Sequence, residues 1–176
     1  MKTRDITIVA VMAALLCVAG PLTVSIGPIP LSLATCVVYM AGAVLGAKRG
    51  TLAVGIYLLL GLVGLPVFSG FQGGVQKLIG VTGGYLVGYL PCALITGLAV
   101  VPDSPEVGPC WRLPAFMALG TVVLYAIGTA WFMIQTKNTL AASMGMCVVP
   151  FLPGDTVKII AASLLARPVR GALYRG

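Results

Sequence analysis

The sequence predicts an all-α integral membrane protein with six transmembrane helices and both termini in the cytoplasm. Three observations carry that expectation. Apolar residues make up 59% of the 176 and charged residues 9%, and mean hydropathy is +1.07, more apolar surface than one globular core can hide. Six mostly apolar runs, each near the length that crosses a bilayer, use up nearly all the chain. Lys and Arg lie between the runs, mostly in alternate gaps, as the excess of positive charge on cytoplasmic loops requires.

The first span is 6–19, led by Lys2 and Arg4 and closed by Pro21. A cleaved signal peptide is the competing reading of a short run with a basic start. Five further runs follow, which favours a retained helix. The linker 20–30 is rich in Gly and Pro and uncharged. Span two is 31–47, ending at Lys48-Arg49-Gly50, and span three is 51–65, stopped by Pro66. Segment 67–81 holds Gly70, Gly73, Gly74 and Gly80 with Phe71, Gln72, Gln76 and Lys77 between them. It has too many glycines for a stable helix and too many apolar groups for a free linker, so it reads as a loop folded over the bundle as a lid. Span four is 82–101. The linker 102–112 carries Asp103 and Glu106, and span five is 113–133. Residues 140–149 form a short, partly inserted helix, and span six, 150–167, ends at Arg167-Pro168. The whole is one domain, 1–176.

Assigning the N-terminus and every second gap to one side places Lys2, Arg4, Lys48, Arg49, Arg112, Arg167, Arg170 and Arg175 there, eight against Lys77 and Lys137 on the other. The eight mark the cytoplasm. The net charge of +7 therefore orients the chain and meets lipid headgroups; without a basic patch interleaved with aromatics it does not point to nucleic acid. The five cysteines form no CxxC pair and there is no histidine, which argues against a metal site, a disulfide framework and ordinary acid–base catalysis. No GxxxxGK[ST] loop occurs, so the chain has no Walker site for ATP. The expectation is a non-enzyme without a cofactor.

Against this background the turn Pro153-Gly154-Asp155-Thr156-Val157-Lys158 stands out. Ionisable groups are expensive in hydrocarbon and mark function by default, and at i, i+3 Asp155 and Lys158 share one helix face. They either neutralise each other as a structural pair or hold a ligand. A carboxylate suits N–H donors such as those of a urea, and an ammonium suits a carbonyl or carboxylate. Thr35 in span two and Thr82 and Tyr85 at the start of span four fall in the same outer slab, within about 12 Å of the surface. Phe68, Phe71 and Gln72 of the glycine loop are the other candidate walls and contacts. Gly80, Gly84 and Gly88 read first as a packing face, as do Gly42 and Gly46. Ala10 and Ala14 have the same small-residue spacing, either for internal packing or for a partner subunit.

Four motifs in order resemble a known family: Gly27-Pro28-Ile29-Pro30, Gly61-Leu62-Val63-Gly64-Leu65-Pro66-Val67-Phe68, Thr82-Gly83-Gly84-Tyr85-Leu86 and Pro150-Phe151-Leu152-Pro153-Gly154-Asp155-Thr156-Val157-Lys158. The chain resembles BioY, the biotin-specific S component of energy-coupling factor (ECF) transporters. The resemblance implies a six-helix S-component fold in a prokaryotic plasma membrane and high-affinity capture of biotin from outside. It implies partnership with a membrane T component and two cytoplasmic ATPases. It also implies that Asp155 and Lys158 hold polar ends of biotin, that Tyr85 and Thr35 line the pocket, and that the Ala10–Ala14 face meets the T component. Val81, Ala34 and Ser32 depart from the family's usual Pro, Gln and Thr. The alternative is a self-sufficient secondary carrier for biotin or a related small carboxylate.

Overall fold

A computed structural model describes residues 3–25 and 30–174. The Gly27-Pro28-Ile29 stretch and the charges of Lys2 and Arg175 lie outside the described residues. The elements in chain order are α1 (Thr3–Ala19), β1 (Thr23–Ser25), β2 (Pro30–Ser32), α2 (Ala34–Leu62), α3 (Val75–Ile79), α4 (Gly83–Gly97), α5 (Arg112–Thr136), α6 (Leu140–Cys147) and α7 (Leu152–Tyr174). The fold is helical with an apolar exterior: Ile6, Val18, Leu59, Val122, Ile134 and Leu164 are all more than half exposed. The chain is a membrane protein.

One departure from a purely helical fold is the antiparallel ribbon of β1 and β2, pairing Thr23 with Ser32 and Ser25 with Pro30. It replaces the expected plain linker. Backbone N–H and C=O groups close to hydrocarbon need partners, and a ribbon supplies them where Gly and Pro prevent a helix.

Spans two and three form one helical element, α2, broken at Gly46 (φ 78°, ψ 176°). The chain reverses there. A Cβ on Gly50 would lie 2.6 Å from the Ala41 carbonyl oxygen, whereas nine residues of straight helix cover about 13.5 Å. The break thus precedes the expected Lys48-Arg49-Gly50, because the turn is made by a backbone conformation that glycine alone adopts cheaply. The nearest atom to a Cβ on Gly46 is 4.0 Å away, so conformation and not space holds glycine here. Gly46→Ala is expected to destabilise the fold by about 1–3 kcal/mol. Gly55→Ala, in the second arm with its nearest neighbour also at 4.0 Å, gains about 0.5–1 kcal/mol of helix propensity. Thermal unfolding of both variants in detergent checks the opposite signs.

The contacts also set direction. Leu33 N–H bonds to the Leu22 carbonyl beyond α1, whereas Arg49 pairs with Asp5 at the start of α1 (3.0 Å) and with Asp103 after α4. The Arg4 guanidinium donates to the Leu173 carbonyl. Gln135 and Trp131, late in α5, donate to Ile79 and Gly80 just before α4. Thus α1, the two arms of α2, α4, α5 and α7 alternate in direction between two ends. Both ends of the described chain lie at one of them, with Arg49 and Arg170. By length and composition, Ala34–Leu62 and Arg112–Thr136 are each sufficient to cross a membrane, and α6 with α7, bent by 50° at their break, makes a third candidate.

Glycines set the close crossings. A Cβ on Gly84 would meet Trp131 at 2.3 Å, on Gly88 Leu124 at 2.7 Å, and on Gly128 the Tyr85 ring at 2.5 Å, so α4 and α5 touch along these residues. Gly80 stands apart, facing only the carbonyls of Gln76 and Lys77. Gly42 packs on Ala93 and Thr96, whereas its expected companion Gly46 serves the turn.

Several element ends differ from those expected, among them the second arm of α2, which stops at Leu62. α4 stops at Gly97, α5 reaches Thr136, and α7 runs through Pro168 to Tyr174. The continuation carries Arg170 into the interior instead of leaving it as a flanking charge. Its side chain is fully buried. It donates to the carbonyls of Ala43 (3.2 Å), Val44 (2.7 Å) and Val101, and it lies 4.9 Å over the Tyr174 ring. A cation thereby caps the C-terminal end of the first α2 arm, where the helix dipole favours it.

Candidate functional site

The site is at the end opposite Arg170, in the first turns of α7. Asp155 and Lys158 are buried, 5% and 8% exposed. Pro153 in the first turn costs no hydrogen bond there, and a carboxylate near a helix N-terminus is favoured by its dipole. Lys158 Nζ donates to Asp155 Oδ1 and to the Ser32 carbonyl, both at 2.8 Å. Asp155 Oδ2 accepts from the Tyr125 hydroxyl at 2.5 Å. Each carboxylate oxygen thus has one donor, and the ammonium keeps one of its three N–H groups without an assigned partner.

Around this pair stand hydroxyls from three other helices. Thr35, in the first turn of α2, is buried beside Tyr89 of α4. The Tyr85 hydroxyl lies 3.2 Å from Thr129 Oγ1 and 3.4 Å from the Cys147 carbonyl. Thr82 is buried as the N-cap of α4 without a side-chain cap bond. Thr35, Thr82, Tyr85, Asp155 and Lys158 therefore share one end of the bundle. Next to Tyr125 and Thr129 a cavity of about 520 Å³ opens between α5, α6 and α7, walled by Val122, Met133, Met144 and Leu152, within the ~300–1,000 Å³ usual for small-molecule pockets.

Phe71 and Gln72 do not join this cluster. Phe71 is 69% exposed, and the Gln72 amide oxygen accepts from Lys77 Nζ at 2.7 Å, whose ammonium is held below its ordinary range by partial burial. The buried aromatic of the loop is Phe68, fully enclosed beneath Gly61 and edge-on to Tyr57 at 5.5 Å. It faces α2 and not Asp155. The loop is thus two parts. Residues 67–74 are anchored by Phe68, by Tyr57 to the Val67 carbonyl and by Gly74 to the Gly61 carbonyl. The short α3 that follows buries no residue.

Ala10 and Ala14 are exposed on α1, with Ala13 turned inward. All five cysteines are free thiols. Among the described residues no cluster of His, Cys, Asp and Glu is suited to a metal ion.

The residues that sequence reasoning missed are on α5. Thr121, Tyr125 and Thr129 recur every four residues on one helix face. Thr121 bonds to Tyr39 of α2 at 2.6 Å, Tyr125 to Asp155 of α7, and Thr129 to Tyr85 of α4. A hydroxyl stripe in an otherwise apolar span was the available signal.

An apolar-faced helical bundle that buries an ion pair among hydroxyls at one end defines a membrane protein with a charged site at one end of its bundle. The BioY family profile matches residues 1–175. The probable biotin transporter BioY of Pyrococcus horikoshii is 37% identical over 171 residues, 97% of this chain and 99% of that protein. The biotin transporter BioY of Thermotoga maritima is 35% identical over 163 residues, 93% of this chain and 94% of that one. The crystal structure of the S-component for biotin from an ECF-type ABC transporter superposes with a TM-score of 0.86 at 28% identity, covering 98% of this chain and 96% of that one. The chain belongs to the BioY family.

Proposed function

We propose that this chain captures biotin as the membrane S component of an ATP-driven ECF importer. The observation that carries the reading is the residual hydrogen-bonding capacity of the buried pair. After its internal bonds, the pair still offers carboxylate lone pairs beside one free ammonium N–H. A ureido ring edge presents an N–H next to a carbonyl, the complementary pattern. The apolar bicycle and chain of biotin suit apolar walls. Similar proteins named as biotin transporters, and the biotin S-component structure, support the same ligand.

In this reading the six helical arms each cross the plasma membrane of a prokaryote. The end rich in Lys and Arg, with both termini, lies in the cytoplasm, and the Asp155 end faces outward. A membrane T component and two cytoplasmic ATPases supply the energy, docking on the exposed Ala10–Ala14 face of α1. The test is calorimetry with biotin on the purified chain in detergent, followed by uptake with and without the T component and ATPases. Uptake by the chain alone, driven by an ion gradient, selects the secondary-carrier alternative.

Only part of the glycine loop acts as the lid. Biotin is expected to slow hydrogen exchange in 75–80, while 67–74, already pinned by Phe68, changes little, and the linker 102–111 at the other end not at all. Equal slowing of 75–80 and 102–111 speaks against an outward pocket.

A further inference from the structure

Resting on the biotin reading, we propose that Tyr125 is a positioning residue that sets selectivity for a free ureido N–H by fixing the plane of the Asp155 carboxylate. The terminal torsion of an aspartate is broad and roughly two-fold. Lys158 restrains Oδ1 through a flexible ammonium (2.8 Å), which alone leaves the plane free to turn. The Tyr125 hydroxyl restrains Oδ2 at 2.5 Å from a rigid phenol on a different helix. Two donors from two helices hold the carboxylate flat, so its remaining lone pairs point in fixed directions. Of the α5 hydroxyl stripe, Thr121 and Thr129 bond to neutral tyrosines; Tyr125 alone bonds to a charged group of the site. An acceptor fixed in this way rewards a ligand N–H at one angle and leaves a methyl group in its place facing a desolvated carboxylate.

The experiment compares biotin with biotin methylated on its ureido nitrogens, by calorimetry on the full chain in detergent. Wild type is expected to prefer biotin. Tyr125→Phe removes one oxygen and keeps the ring. It is expected to weaken biotin about tenfold or more, the scale of one hydrogen bond to a charged group, while the methylated analogue changes much less, so the preference shrinks. Tyr125→Met, a second side chain without a donor, gives the same shrinkage. Thr136→Val deletes an α5 hydroxyl that bonds only to the Phe132 carbonyl of its own helix and leaves the preference intact. Equal weakening of both ligands, or a preference unchanged in both Tyr125 variants, overturns the assignment, as does an equal shrinkage in Thr136→Val. A wild type that binds biotin while its variants keep the preference refutes the role of Tyr125 alone. A wild type that does not bind biotin refutes the ligand reading and the role of Tyr125 with it.

Discussion

Asp155→Asn and Lys158→Met are each expected to weaken biotin binding about a hundredfold or more. Either change leaves one buried charge without its partner, a loss on the order of 3–5 kcal/mol, and 1.4 kcal/mol is about a factor of ten. The two variants fail differently. In Asp155→Asn the Lys158 ammonium keeps the Ser32 carbonyl and a neutral amide oxygen but no counter-charge, and in Lys158→Met the Asp155 carboxylate keeps only Tyr125. Because an unpaired charge costs more than none, the double variant is expected to fold more stably than either single one while still failing to bind. Calorimetry with thermal unfolding on the same samples separates the two readouts. Near-wild-type affinity in both single variants removes this turn as the site.

The second large effect separates transport from binding. Ala10→Trp and Ala14→Trp are expected to abolish ATP-dependent uptake while leaving the affinity of the isolated chain unchanged. Ala10 and Ala14 are exposed on α1. Between helices in lipid, association comes from close packing of small residues, and one bulky side chain holds the helices apart. Uptake assays with the T component and ATPases, paired with calorimetry, check it. Uptake that survives both substitutions leaves the face lipid-exposed. Affinity lost together with uptake shows that these alanines serve the fold.

What was legible in the sequence follows from physical cost. Asp155 and Lys158 were visible because a charge inside an apolar run is expensive wherever the run ends up. The alternation of helical arms followed from hydropathy and from glycine and proline breaks. Tyr125 was not visible, because a single tyrosine in the middle of an apolar span reads as ordinary packing, and only three-dimensional placement aims its hydroxyl at Asp155. Arg170 was misread for a related reason. A basic residue just past a proline looks like a flank, and it becomes a cap only because α7 continues through Pro168. The different placements of Phe68, buried, and Phe71, exposed, were not legible because the two are chemically alike. The gap over Gly61, which admits Phe68 alone, depends on how the second arm of α2 lies. The reversal at Gly46 was displaced by two residues because charge was taken as the marker of the turn, whereas backbone conformation makes it.

The bond from Arg4 to the Leu173 carbonyl joins residues 169 positions apart, and Arg4 also lies 5.5 Å over the Tyr174 ring. In contact terms the described chain is a ring opened at one point. Its start and finish meet beside Arg170, which already binds the first α2 arm to the residues after α4. The seam is a contact of the two ends alone, because along their lengths α1 and α7 each pack on α2 instead. The exposed linker at Pro109 and Cys110, at the same end of the molecule, is an equivalent place to open the ring.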